Sequence, residues 1–170
     1  MLCQFPLQFC GITNYLNRGT TKIIAMKKIL VLNGPNLNLL HKRDSQIYGK
    51  ISLEKIAKNC EEVAKECGVE IDFQQSNSEA DLIEAIQNAV DEFDGIIINA
   101  AAYSHTSIAI RDALEIFTKP KIEVHISNIF AREEFRQHSF ISDVVDGVIC
   151  GLGVNSYTTA LLAISNMMKK

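Results

Sequence analysis

The run Lys28-Ile29-Leu30-Val31-Leu32-Asn33-Gly34-Pro35-Asn36 decides the fold. Four consecutive apolar residues stop abruptly at a polar turn containing glycine and proline. A run this short and uninterrupted is what a strand buried on both faces requires, so Ile29–Leu32 reads as the first strand. Downstream, Ser52 stands at a helix N-cap position, and Leu53, Ile56, Ala57, Cys60, Val63, Ala64 and Cys67 recur at helical spacing until Gly68. Val69–Phe73 reads as a second strand. Ser78 caps a second helix with Leu82, Ile83, Ile86, Val90 and Phe93 on one stripe. Gly95–Ile98 is a third strand, followed by a helix near Ser107–Phe117 that must stop before Lys119-Pro120. Lys121–Ile126 is the fourth strand and Gly147–Cys150 the fifth, separated by a polar stretch over Ser127–Ser139. A last helix covers Tyr157–Met168 and ends in two lysines, which suit a helix C-terminus.

Strand and helix alternating five times imply parallel pairing, because each crossover helix returns the chain to the same edge direction. Right-handed crossovers then lead to an α/β fold: a doubly wound, flavodoxin-like five-stranded parallel sheet with helices on both faces. The 170 residues are 47% hydrophobic and 22% charged with a net charge of −3, values that fit one folded domain and argue against disorder. Mild acidity gives no electrostatic reason to bind nucleic acid or an anionic membrane, and no apolar run reaches the roughly 18 residues a membrane-spanning helix needs. Five cysteines match no metal or disulfide framework; Cys60 and Cys67 would lie about 10 Å apart along one helix. A reducing, cytoplasmic compartment follows.

Residues 1–25 differ from the rest. They contain no Asp or Glu and only two basic residues, Arg18 and Lys22; without them fifteen basic and twenty acidic side chains remain, a balance of −5. Gln4, Pro6, Gln8 and Asn14 break any signal-peptide core. The segment reads as a disordered extension or an upstream start, with residues 26–170 forming the domain. Its removal is expected to leave the thermal midpoint unchanged; a large drop would assign it to the folded unit.

Ligands of doubly wound sheets bind beyond the carboxyl ends of the strands. Those ends carry Asn33-Gly34-Pro35-Asn36, Asn99, and Glu123, His125 and Ser127; the following segments add His105, Arg132 and Arg136. Loops there are polar in any case, so this set alone is also compatible with a solvated rim. The turn after the first strand has a single glycine and so is neither a dinucleotide nor a Walker loop. Gly151-Leu152-Gly153 is a lone G-x-G and reads as a tight turn into the last helix. Ser104-His105-Thr106-Ser107 lacks the elbow of a nucleophilic serine. A metal would need a third ligand beside Glu123 and His125, and only His105 offers itself. Proton transfer remains: Arg43 can lower the pKa of Tyr48 to make a base, and His125 can return a proton to a leaving hydroxyl, with Glu123 orienting the imidazole. Tyr48, before Gly49, could equally be a loop tyrosine packed on the surface.

Taken together, residues 26–168 resemble the type II 3-dehydroquinate dehydratases. The resemblance rests on Asn33-Gly34-Pro35-Asn36-Leu37-Asn38-Leu39-Leu40, Arg43 with Tyr48-Gly49, and Gln75-Ser76-Asn77-Ser78-Glu79. It continues through Ile98-Asn99-Ala100, His105-Thr106-Ser107, Ile122 to Asn128, Arg132 to Arg136, and Gly151-Leu152-Gly153. It implies a lyase of the shikimate pathway, serving chorismate and aromatic amino acid biosynthesis, that acts without cofactor or metal. Tyr48 would be the base, held as phenolate by Arg43, with Asn36 stabilising an enolate, His125 the acid and Glu123 its support. Asn99 and the amides of Ile126 and Ser127 would hold the substrate carboxylate, and His105 and Arg136 its ring hydroxyls. Asp112 would come from a neighbouring subunit of a homododecamer, a tetramer of trimers; Arg132 is a second active-site arginine. Ser45 stands where the family pattern has proline, and Asn155-Ser156 replaces a commoner pair before Tyr157. The alternative is a catalytically silent binding or assembly protein that keeps the pocket, although such a protein has no need of Tyr48, Arg43 and His125 together.

Overall fold

The computed structural model describes residues 25–42 and 52–169. Strands β1 (Lys27–Asn33), β2 (Val69–Gln75), β3 (Gly95–Asn99), β4 (Lys121–His125) and β5 (Gly147–Cys150) form one sheet in the order β2-β1-β3-β4-β5. All four neighbouring pairs are parallel. This is the expected doubly wound order. The strands outrun their apolar centres, since Leu32 and Asn33 still pair with Gln74 and Gln75 of β2. Backbone pairing is indifferent to side-chain polarity, so hydropathy alone stops short of the true ends.

Alternation along β1 sorts the two layers. Ile29 and Val31 join the cluster that contains Leu53, Ile56, Cys60 and Ala64 of α1 (Leu53–Cys67) and Ala160, Leu161 and Ile164 of α4 (Asn155–Met167). Leu30 and Leu32 point the other way, to Leu82 and Ile86 of α2 (Glu79–Glu92) and Ile110 and Leu114 of α3 (Ile108–Ile116). Each leucine, isoleucine or valine among them, fully buried, contributes roughly 1.5–3 kcal/mol. Cys60 is a core residue whose thiol burial pushes up to about 12, so it packs as a hydrophobe.

The helix starts expected at Ser52 and Ser78 are present: each hydroxyl accepts the amide three residues on, Lys55 and Asp81, at 3.3 Å. Ser107 caps α3 in the same way, accepting from Ile110 N at 2.9 Å, so its hydroxyl serves the helix and not a reaction. Gly68 ends α1 in the left-handed conformation. Gly151 and Gly153 also have positive φ, and Gly153 N donates to Ile126 O at 3.0 Å, so the G-x-G is the turn into the last helix. That helix begins at Asn155, two residues before Tyr157. Among the described residues no helix is long and apolar enough to cross a membrane.

Candidate active site

The winding direction reverses between β1 and β3, and there the two chains leaving the sheet must separate. They do so from nearly touching backbones. Gly34 N donates to Asn99 O at 2.8 Å, and a Cβ on Gly34 would sit 2.4 Å from the carbonyl oxygen of Ala100. Beyond this pinch Asn36 and Ala101 take left-handed φ values of 65° and 53°. Asparagine tolerates that region; for alanine it costs roughly 1–2 kcal/mol. Neighbours hold both turns: Asn36 N donates to Asn77 Oδ1 at 2.8 Å, and Ala101 N to Asn99 Oδ1 at 3.2 Å.

Beneath the pinch lies a buried polar chain. The Tyr157 hydroxyl, on α4, donates to Asn33 Oδ1 at 2.7 Å and accepts from Asn99 Nδ2 at 2.8 Å; Asn33 Nδ2 donates in turn to Gln74 O at 2.9 Å. Complete burial pushes the Tyr157 phenol well above its ordinary value, so it keeps its proton and remains a donor. Tyr157→Phe would strand an acceptor on β1 and a donor on β3. Its expected cost is about 2 kcal/mol in urea denaturation, and a loss near zero would mean that these amides find other partners.

The third rim comes from β4. Glu123 and His125 are two apart on one strand and therefore share a side, and both are buried. Glu123 Oε1 lies 2.7 Å from His125 Nε2 and accepts from Ser139 Oγ at 2.7 Å, while Oε2 accepts from the Ser142 hydroxyl. Burial pushes this carboxyl upward, but the hydrogen bond and charge of His125 with the two serine donors outweigh it and hold the group below the usual carboxylate range. Glu123 is thus an anion, His125 Nε2 carries a hydrogen toward it, and Nδ1 is the nitrogen left for proton exchange. His105 uses the opposite atom: its Nδ1 lies 2.7 Å from the carbonyl oxygen of His138 and donates to it. Burial, helped by the nearby His125 and Arg136, pushes His105 below its ordinary value despite that bond, so it is neutral at pH 7 with Nε2 an acceptor. The two imidazoles face each other with centroids 6.1 Å apart and planes inclined by 20°.

These rims enclose a cavity of about 150 Å³ lined by Asn36, Asn99, His105, His125, Ile126, Ser127, Arg132 and Arg136, with Pro35, Leu37, Ala101, Ala102 and Ile129. Eight of the expected site residues, from the strand ends, the following segments and the resemblance, therefore line one cavity, with Glu123 behind His125. Arg132 reaches Ser127 Oγ at 3.4 Å, and Arg132 and Arg136 both pair with Glu133, at 3.3 and 3.2 Å. No three His, Cys, Asp or Glu side chains among the described residues are grouped to hold a metal ion. Asp112 lies apart: it sits on α3, exposed, 3.5 Å from Arg111, and does not line the cavity within its own chain. Arg43 and Tyr48, and with them Ser45, lie outside the described residues, as does the segment 1–24.

Ser139, Ser142, the His138 carbonyl and Tyr157 were not among the expected site residues. The only hint was Glu123 itself: a carboxylate inside the apolar run Ile122-Glu123-Val124 needs donors from somewhere.

Similarity to known proteins agrees with this geometry. The family model for class II dehydroquinases matches residues 27–165. A 3-dehydroquinate dehydratase from Idiomarina loihiensis is 57% identical over 137 residues, covering 80% of this chain and 90% of the relative. One from Prochlorococcus marinus is 52% identical over 142 residues, covering 84% and 98%. The crystal structure of type II dehydroquinase from Propionibacterium acnes superposes with a TM-score of 0.80 at 46% identity, over 82% of this chain and 97% of that one. The winding order, the contents of the crevice at its switch point and these matches agree, and the chain belongs to the class II dehydroquinase family.

Proposed function

We propose that the chain dehydrates 3-dehydroquinate to 3-dehydroshikimate through an enolate, using only its own side chains. The observation that carries this reading is the Glu123–His125 pair, 2.7 Å apart, opening onto a crevice edged by two arginines in a chain of this family. Tyr48, as a phenolate beside the Arg43 guanidinium, takes the proton from the carbon next to the ketone. The electron pair moves onto the ketone oxygen, where Asn36 stabilises the enolate through a water. The enolate then collapses, the carbon–hydroxyl bond breaks, and His125 Nδ1 gives its proton so that the hydroxyl leaves as water. Glu123 stabilises the imidazolium until that step. The proton on Tyr48 then passes to His125 through solvent and restores both groups.

The remaining residues bind. Asn99 spends one Nδ2 hydrogen on Tyr157; the other, with the amides of Ile126 and Ser127, holds the substrate carboxylate. His105 Nε2 accepts from a ring hydroxyl and Arg136 donates to one. Arg132 adds positive charge. Asp112, exposed on α3, completes the site from a neighbouring subunit of a homododecamer. Residues 26–170 form the catalytic domain of a cytoplasmic enzyme.

The test is to mix the protein with 3-dehydroquinate and follow the ultraviolet absorbance of the conjugated product, with chelator and borohydride controls. Turnover that survives both supports the reading. Tight binding without turnover would favour a silent pocket, and neither binding nor turnover would overturn the substrate assignment.

A further inference from the structure

One short segment contacts the supports of both pocket histidines. His138 O receives the Nδ1 hydrogen of His105, Ser139 Oγ donates to Glu123 Oε1, and the Ser142 hydroxyl donates to Glu123 Oε2. Between them Phe140 N donates to Ser104 O at 2.8 Å, tying the segment to the turn that carries His105. Ser139 Oγ also accepts from Ile141 N at 3.3 Å, and Ile141 is fully buried in the core beneath. The segment is therefore anchored at its centre and reaches the site from both ends.

We propose that residues 138–142 act as a clamp that decides which nitrogen of each pocket histidine carries its hydrogen, with Ser139 and Ser142 as positioning residues acting through Glu123. This assignment rests on the proposed dehydration only for its kinetic consequence; the hydrogen-bond geometry stands without it. A buried carboxylate with a single donor would turn toward that donor and compete for its proton. Three donors on two oxygens fix the orientation of the Glu123 carboxylate, so the Nε2 hydrogen of His125 is drawn along one line and Nδ1 is kept for substrate. The His138 carbonyl, which can only accept, imposes the reverse choice on His105. Neutral His105 thereby offers Nε2 as an acceptor, while His125 offers Nδ1 as a donor once its ring is protonated beside Glu123.

The sign of the expected change follows from charge. The serine hydroxyls favour most the state in which Glu123 is charged and His125 neutral, since the carboxylate then lacks its cationic partner. Removing them makes the pair hold its last proton to higher pH. Among the described residues the other titratable or charged groups around the pair are His105, Arg132 and Arg136 at the cavity, His138 in the clamp, and Cys150, which stands in register with His125 on β5. All of them are retained in the variants.

The experiment compares Ser139→Ala, Ser142→Ala and the double variant with Ser139→Thr, which keeps a hydroxyl. The His125 ring is titrated by NMR in the folded protein, and kcat is measured against pH with 3-dehydroquinate. The expected result is a midpoint moved to higher pH in each alanine variant, furthest in the double one, and restored by threonine. Where the enzyme turns over, kcat falls about ten- to a hundredfold and the alkaline limb moves the same way. An unmoved ring titration in Ser142→Ala, which removes one donor and leaves the Ser139–Ile141 anchor intact, overturns the clamp. A moved ring titration in a protein that never turns over 3-dehydroquinate leaves the clamp standing and removes the substrate assignment instead.

Discussion

Tyr48→Phe and His125→Gln are each expected to lower kcat by on the order of a hundredfold to ten-thousandfold while leaving substrate affinity within about threefold. Each change removes a proton-transfer group and keeps most of the shape. Phenylalanine lacks only the hydroxyl that would take the proton from carbon. Glutamine can still donate an amide hydrogen to Glu123, so the buried carboxylate, fully enclosed and bonded to two serines, keeps a partner where His125 Nε2 stood. It cannot ionise, so the leaving hydroxyl must depart without an acid. The carboxylate and hydroxyl contacts assigned to Asn99, Ile126, Ser127, His105 and Arg136 are untouched in both variants, so the loss should appear in kcat. Steady-state kinetics together with calorimetric binding check this. A kcat within about threefold of the parent would remove the residue concerned from its assigned role, and weakened binding at unchanged kcat would make it a binding group.

Gly34→Ala should destabilise the fold by about 3 kcal/mol, at the high end for overpacking. The added methyl would meet the Ala100 carbonyl at 2.4 Å for oxygen and 2.6 Å for carbon. Both are backbone atoms, which cannot rotate away as a side chain can. Relief would require stretching the 2.8 Å bond from Gly34 N to Asn99 O, and that bond holds together the strand ends that flank the crevice. Gly68→Ala is the matched control. Gly68 has φ +69, but nothing lies within 4 Å of where its added methyl would stand, so only the left-handed backbone penalty of roughly 1–2 kcal/mol applies. Urea denaturation of the two variants separates contact from conformation. Equal losses would mean that the β1–β3 pinch relaxes freely.

How far the amino-acid sequence reaches is clear from these residues. The strand centres, the caps at Ser52 and Ser78, the glycine turn at 151–153 and the winding of the sheet all follow from neighbours within a few positions, because hydrophobic period, capping and left-handed turns are local properties. The fold class then places Asn36, Asn99 and His125 at the strand ends by a topological rule, and the cavity does contain them. What periodicity cannot supply is the partner of a polar group. Tyr157 reads as one more apolar position on the last helix, yet its hydroxyl bonds Asn33, 124 positions earlier, and Asn99, 58 earlier. Ser139 and Ser142 lie in a polar stretch with no regular period, and only the path of the chain from β4 back to β5 brings them onto Glu123. Period and composition establish which side of an element a residue faces. Which atom it then meets depends on how separate crossovers pack, and here tertiary structure alone decided the buried Tyr157 chain, the serines on Glu123 and the opposite hydrogen positions on the two histidines.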